Sequence, residues 1–555
     1  MGDEGHYIRR ALLVLEQLDP QESARYDHPF FGQLFLAGVF GMIGYPDILN
    51  PVSGDVYSTQ MLYMVPRLLM GVLAVFDTFI IYKICEHRYN SRTIAFVASL
   101  LFAVMPLTWF TRRIYLDSIQ LPFILLAILF AVYYNTSNKN LQYPSRINKR
   151  SILLVAFSGI SLGLGIFTKI PVISLIPLIG YLLFKANNDY IQKLKVLGLW
   201  LTPVILIPAI WPLYSLSVND FNDWYSGVFS QAERAGSGIS TITILFKIDP
   251  ILVTLGLAGL VFFSAIKRDL FLILLFIPFF VFITLVPWTQ HFHWIQTFPA
   301  FCIASAVLID DVASRLGKKK TVIQNRIDGF PSSEENTLLS KTGTSGNGLG
   351  QLYRYFKFNI KSYATNPIVI IVTIIVIFGL VSTTMLVTTN VNYSFFELVT
   401  FLNQYLPDYK ENLHYKKDIG LCIWCTGSDS KDDENRNKHD DNVKNKKATV
   451  IGNHWIYGTF WIPRYVFDKD HDFKGFYTTG SVDTEKVVLV IDRRFLDALS
   501  ANSPEKHIEE LQNLNNTAIT ITKFNEERPY FDDTIYPYTS MEENNGIGKV
   551  EIRAN

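Results

Sequence analysis

Residues 112–134 read RRIYLDSIQLPFILLAILFAVYY, a charged opening of Arg112, Arg113 and Asp117 followed at once by an apolar run. A helix crosses the roughly 30 Å hydrocarbon core of a bilayer with about 20 mostly apolar residues. No water is available there, so each backbone amide must be satisfied inside its own helix. The stretch therefore reads as a membrane helix, 118–134, entered from a charged loop. Nine further runs of the same kind follow or precede it: 61–82, 92–110, 152–168, 170–184, 196–214, 249–266, 270–288, 294–313 and 367–389. The chain is 49% hydrophobic, and only 18% of its 555 residues are charged, against about 25% in soluble proteins. The fold class that follows is a polytopic α-helical membrane protein of about ten spans.

The charges left over are not scattered. Short cytoplasmic loops carry an excess of Lys and Arg. Such residues recur in alternate loops as Lys83, Arg88 and Arg92, then Arg146, Lys149 and Arg150, then Lys185, Lys193 and Lys195, then Lys267 and Arg268, then Arg315 and Lys318 to Lys320. The opposite loops then face outside, and residues 1–60 with them. The apolar stretch 30–44 would invert every later loop if it crossed, so it reads as a helix lying in the outer interface.

This gives a division of the chain: 1–60 as an external loop with interfacial helices, 61–313 as the membrane bundle, 314–366 as a disordered cytoplasmic loop, and 367–389 as a last span. Residues 390–555 read as an external α/β domain with a low-complexity insertion at 428–447. In that domain Val450-Ile451, 486–491 and 518–522 have the pattern of strands, and 455–467 and 494–500 that of helices. The net charge of +1 points to no nucleic-acid partner. Cys85 and Cys302 fall in apolar spans and read as packing residues. Cys422 and Cys425 are a local disulfide or two free thiols, and Asn392 and Asn515 open N-x-S/T sequons.

The outer face collects Asp3 and Glu4, Asp27 and His28, Arg112 and Arg113, Asp117, Lys169, and His291 and His293. Ionisable groups at the membrane are functional candidates by default, and these come from five separate stretches of the sequence. Transfer of a sugar from a polyprenyl phosphate needs such a mixture. A carboxylate takes the proton of the acceptor hydroxyl, and cations stabilise the departing phosphate. Each residue also has a plainer role: Asp117 as a helix cap, the arginines as interfacial anchors, the histidines as part of an aromatic belt with Trp288 and Trp294. Arg67 and Asp77 share one span ten residues apart, about 15 Å along the axis, and cannot pair with each other.

Asp3-Glu4 followed by His28-Pro29-Phe30 resembles the first external loop of the GT-C glycosyltransferases of the protein-mannosyltransferase and aminoarabinose-transferase group. Arg112-Arg113 through Leu116-Asp117 is similar to their second acidic motif. Thr168-Lys169 with Pro171 resembles their Leu-Thr-Lys-Gly-Pro turn, and the run from His293 to Pro299 their late Arg-Tyr-x-x-x-x-Pro opening. Phe30 replaces a Pro of the pattern, Ile170 a Gly, and His291 and His293 stand where an Arg is common. The resemblance implies an external active site, a polyprenyl-phosphate-linked sugar as donor and an inverting transfer. Asp3 would be the base, with Glu4 supporting it and Asp117 as a second carboxylate. Lys169 with one of Arg112 and Arg113 would hold the donor phosphate, and His28, His291 and His293 would bind substrate. No metal site and no cofactor is required, though a divalent cation fits the chemistry, and the acceptor stays open. The resemblance also leads one to expect an apolar segment upstream of Met1, delivering the Asp3-Glu4 loop and making eleven spans. The alternatives are a lipid-linked sugar transporter or flippase, and a non-catalytic GT-C-like accessory subunit.

Overall fold

The computed structural model describes residues 2–21, 26–49, 56–139, 149–187, 189–232, 240–285, 291–327, 367–388, 393–406, 448–452, 471–475, 486–492, 519–524 and 550–554. The expected helices 455–467 and 494–500, the insertion 428–447 and Cys422 with Cys425 lie outside them.

The first helix, α1 (Gly2–Leu15), begins two residues into the chain. The Asp3-Glu4 pair therefore sits in the first turn of a helix rather than in a loop, where negative charge suits the positive end of the helix dipole. After it comes α2 (Phe31–Ile43), ended by Gly44 in the left-handed conformation. This is the short apolar helix read as interfacial.

The bundle proper is built from α3 (Val56–Tyr89), α4 (Arg92–Val104), α5 (Leu116–Lys139), α6 (Lys149–Thr168), α7 (Ile176–Lys185), α8 (Tyr190–Ser217), α9 (Phe221–Ala232), α10 (Ser240–Ile248), α11 (Pro250–Val261), α12 (Leu270–Leu285) and α13 (Phe298–Ile327). Two later helices are α14 (Pro367–Thr388) and α15 (Tyr393–Tyr405). Among the described residues five helices are long and apolar enough to cross a membrane, or up to seven if each of two bent pairs counts as one span. The bends have physical causes. Pro106 opens a 3-10 turn, Pro106–Arg112, that leaves α4 at 70°. Pro250 opens α11 at 117° to α10, because proline suits a first helical turn and cannot continue a helix from the residue before it.

Asp249, at the second break, caps α11 by accepting from the Leu252 backbone N–H at 2.9 Å and accepts from Leu107 N–H at 3.2 Å. One buried carboxylate thus ties the two bends together. Shorter apolar helices fill the remaining expected positions at 170–185, 270–285 and 368–384. α13 runs on to Ile327, so the segment from 314 begins as helix, not as a disordered loop.

Cys85 and Cys302 are buried free thiols in the core. Near the C terminus five strands form a mixed sheet: β1 (Ala448–Gly452), β2 (Asp472–Gly475), β3 (Lys486–Asp492), β4 (Ile519–Phe524) and β5 (Val550–Ala554), in the order β2-β1-β3-β5-β4. β2, β1 and β3 are parallel, and β5 runs antiparallel to both β3 and β4. β1 is buried along its length and β3 from Val487 to Val490, as in strands covered on both faces.

Candidate functional site

The stretch from Arg112 to Asp117 is where the polar residues meet. Glu4, buried at the start of α1, accepts a forked pair of bonds from Arg67 of α3, at 3.0 Å from Nε and 2.6 Å from Nη2. Its carboxylate also accepts from Arg113 Nη1 and from the Ile114 backbone N–H, both at 3.3 Å. Burial pushes the Glu4 carboxyl up, but Arg113 and Arg67 outweigh it and hold the group well below the usual carboxylate range. Asp3 is its chain neighbour in the same turn; its side chain lies outside the described residues.

Arg112 and Arg113 part company here. Arg113 stacks over Trp109, 4.8 Å from the ring centre, and turns to Glu4. Arg112 donates from Nη2 to the Ala103 carbonyl at 2.7 Å, satisfying one of the free carbonyls at the end of α4. Of the two arginines, Arg113 is the one at the carboxylate cluster.

Four residues further on, Asp117 occupies the first turn of α5 without being its cap. It accepts from Lys169 Nζ at 2.7 Å, with both residues buried. Lys169 lies in the extended residue between α6 and a 3-10 turn, Ile170–Leu175. Its backbone is fixed from the same face of α5, since Gln120, three residues after Asp117, donates through Nε2 to the carbonyls of Gly165 (2.9 Å) and Lys169 (2.6 Å). Gln120 Oε1 accepts in turn from Gln296 Nε2 at 2.7 Å. Gln296 belongs to a 3-10 turn, His291–Thr297, that also puts the Phe292 ring 5.8 Å from Lys169 Nζ and stacks it on Tyr115 at 4.6 Å. The lysine is thus gripped at both ends by α5 and roofed by an aromatic ring.

His293, half-buried, packs edge-on against Phe292 at 4.5 Å. The side chain of His291 lies outside the described residues.

The first-loop residues approach from the other side. Asp27 accepts from Arg10 of α1 at 2.7 Å and from the His28 backbone N–H at 3.0 Å, with His6 4.0 Å away. Burial raises its carboxyl, and Arg10, His28 and His6 together draw it well below the ordinary value. The His28 carbonyl accepts from Gln21. Phe30 and Phe31 pack on Phe167 at 5.0 and 5.9 Å, two residues before Lys169. A side chain at Gly32 would collide with Leu116, beside Asp117; only a glycine lets α2 start this close to α5 and α6. Among the described residues no group of three or more His, Cys, Asp or Glu side chains is gathered as a metal site requires.

Sequence reasoning missed Gln120 and Gln296, and it noted Arg67 without assigning it to the site. Arg67 had a signal, a guanidinium inside an apolar span. The two glutamines had a fainter one, amides within the opening turns of two apolar segments.

Residues 21–221 match the sequence model of the dolichyl-phosphate-mannose-protein mannosyltransferases. The resemblance read from the motifs holds over that stretch. The mannosyltransferase match takes in Asp27, His28, Arg113, Asp117 and Lys169; Asp3 and Glu4 precede it, and His291 and His293 follow it. Among solved structures the chain is similar to ArnT from Cupriavidus metallidurans bound to undecaprenyl phosphate, at 12% identity and a TM-score of 0.48, over 100% of this chain and 93% of that one. It is also similar to the oligosaccharyltransferase AglB from Archaeoglobus fulgidus in complex with an inhibitory peptide and a dolichol-phosphate. There the identity is 13% and the TM-score 0.40, over 82% of this chain. The chain spans 59% of the length of that archaeal protein. No curated protein matches it.

Proposed function

We propose that this chain is a multi-pass membrane glycosyltransferase that moves a sugar from a polyprenyl-phosphate donor to an acceptor on the external face. The observation that carries the reading is the buried Asp117–Lys169 pair, joined through the 112–117 segment to the Arg113–Glu4 cluster. It lies within the stretch that matches a family of dolichyl-phosphate-mannose-dependent enzymes. An ammonium carries three donors and Asp117 engages one of them, which leaves the lysine suited to a phosphate oxygen as well.

In this reading Asp3 takes the proton as the acceptor oxygen attacks the anomeric carbon. The bond from that carbon to the phosphate oxygen breaks with inversion. The phosphate leaves on its lipid with the bonding electrons, its added charge met by Lys169 and Arg113. Glu4 and Asp117 hold those two cations in place, and His28 and His293 flank the substrate. Ten spans, counting the bent pairs and the three shorter apolar helices beyond the interfacial one, would carry this site on the outer side, with the C-terminal sheet beside it.

Transfer from a radiolabelled polyprenyl-phosphate sugar by the purified full-length protein in lipid nanodiscs tests this. The expected result is turnover that Asp3→Asn and Lys169→Ala each lower by about 10²-fold or more. Undiminished turnover in both variants would overturn the residue roles, and no transfer from any polyprenyl-phosphate sugar would overturn the reading itself.

A further inference from the structure

α9 has three faces rather than two. At 3.6 residues per turn, Trp224, Gly227 and Val228 share one side and turn inward. Trp224 packs on Trp211 at 5.8 Å, and the α-carbon of Gly227 lies so close to Tyr26 that a side chain there would come within 2.7 Å of its carbonyl. Asn222, Asp223, Ser226 and Ser230 form a second side, polar and exposed. Between them runs a third stripe, Phe221, Tyr225 and Phe229 at i, i+4 and i+8. These three rings are 38%, 52% and 50% exposed, and the last two pack on each other at 4.3 Å.

A soluble helix needs only an inner and an outer face. A separate aromatic sector, set between the protein and a polar sector, is what a helix lying at a membrane–water interface presents. The surroundings identify the occupant of that sector. α8, which is long and apolar enough to span, leaves Leu206, Ile210, Leu213 and Leu216 on its exposed side. Its last turn closes with Asp220 N–H donating to the Ser215 carbonyl at 2.8 Å and with Asn219 left-handed at φ 63°, and α9 begins at once. The aromatic stripe thus takes over where the apolar surface of the span stops.

We infer that α9 is an interface helix whose Phe221, Tyr225 and Phe229 seat in the lipid headgroup zone of the leaflet nearest the candidate site. Its inner face meanwhile packs on Tyr26, the residue before Asp27, at Gly227, and the Tyr26 hydroxyl donates to Asp220, the residue before α9, at 3.2 Å. The inference draws on the membrane reading of the chain and not on the transfer reaction, so its test needs no activity.

The test uses full-length protein in lipid nanodiscs with Cys422 and Cys425 changed to serine and the buried Cys85 and Cys302 left in place. Nitroxide labels are placed singly through Phe229→Cys, Tyr225→Cys and Ser226→Cys, and collision with oxygen is compared with collision with a water-soluble nickel chelate. At 229 and 225 oxygen contact is expected to exceed nickel contact several-fold, with the order reversed at 226. Nickel contact dominating at 225 and 229 would put the stripe in water. Low contact with both reagents would put it against protein, such as a second copy of this chain. Either result overturns the inference.

Discussion

Two buried carboxylates meet the segment 112–117, and they are held in opposite ways. Glu4 is saturated. Each of its oxygens accepts two bonds, from Arg67 and Ile114 N–H on one side and from Arg67 and Arg113 on the other. Asp117 is not: Oδ2 takes Lys169, and Oδ1, equally buried, has no hydrogen bond among the described residues. A buried polar atom left unpaired costs about 1–3 kcal/mol, and such strain collects where a protein binds something. The contrast assigns the two acids different work. Glu4 fastens α1 and α3 to the segment, and Asp117 with Lys169 is the half-satisfied pair, which in the proposed reading a ligand would complete.

The hardest blow to this distinction comes from Lys169. Lys169→Ala is expected to lower transfer by about 10²–10³-fold, the usual loss when one preorganised charge on the reaction is removed. It should also lower the melting temperature, since an unpartnered buried carboxylate remains. Adding Asp117→Asn removes that charge, so the double variant is expected to regain thermal stability without regaining transfer. Recovery of both together would make the pair a brace like Glu4.

Glu4→Gln is expected to do the reverse, costing about 3–5 kcal/mol of stability by leaving two arginines short of a counter-charge, with transfer per folded molecule changed only a few-fold. The pH dependence sharpens it. A carboxyl whose folded value is depressed stabilises the fold above its unfolded value, near 4.3, and that contribution is lost as pH falls below it. The melting temperature of the parent chain should therefore drop between about pH 5 and 3, and the drop should be shallower in Glu4→Gln. An unchanged acid limb would remove Glu4 from the account, leaving Asp27, depressed in the same direction, to carry it.

How much of this could be read beforehand follows from which interactions leave a local trace. Long apolar runs announce spans, so α3, α5, α6 and α8 were legible. So was the first bent pair as the run 92–110, though not its bend at Pro106; of the second pair only the half after Pro250 was expected, and α10 fell in what was read as an external loop. The order of the motifs located Asp117 and Lys169. α1 was missed because Glu4, His6, Arg9 and Arg10 make Gly2–Leu15 look like a solvated terminus, whereas Glu4 and Arg10 are buried against partners 63 and 17 residues away. β2 and β5 were missed for the related reason that four or five residues carry too little pattern unless a neighbouring strand selects them. The glutamines are the plainest case, because a neutral amide in an apolar run perturbs neither charge nor periodicity.

That relay gives a smaller test. Gln296→Leu strands Gln120 Oε1 in the core and is expected to cost about 1–3 kcal/mol. If the relay positions Lys169, kcat should fall while KM for the donor holds, and Gln296→Glu, which keeps an oxygen but loses the donor, should not rescue it. A loss confined to stability would leave the relay as packing alone.

The smallest effect belongs to the first-loop side. Burial raises the Tyr26 hydroxyl well above the ordinary phenol value, and Asp220 and Asp19 add to it. The neutral form is therefore the one the fold keeps, and its contribution is present below about pH 10, the unfolded value, and lost as pH climbs beyond it. Tyr26→Phe removes one hydrogen bond and should cost about 1 kcal/mol at neutral pH, measured as a small drop in melting temperature. It should also flatten the alkaline loss of stability, since no phenol remains to ionise on unfolding. If Tyr26 does seat Asp27, the variant also raises KM for the acceptor more than for the donor, because Arg10 still holds the Asp27 carboxylate while the backbone that aims His28 has lost its anchor on Asp220. Equal changes in both KM values would mean that Tyr26 serves only the packing of α9, and the two carboxylates that meet at the 112–117 segment would then stand without a third support.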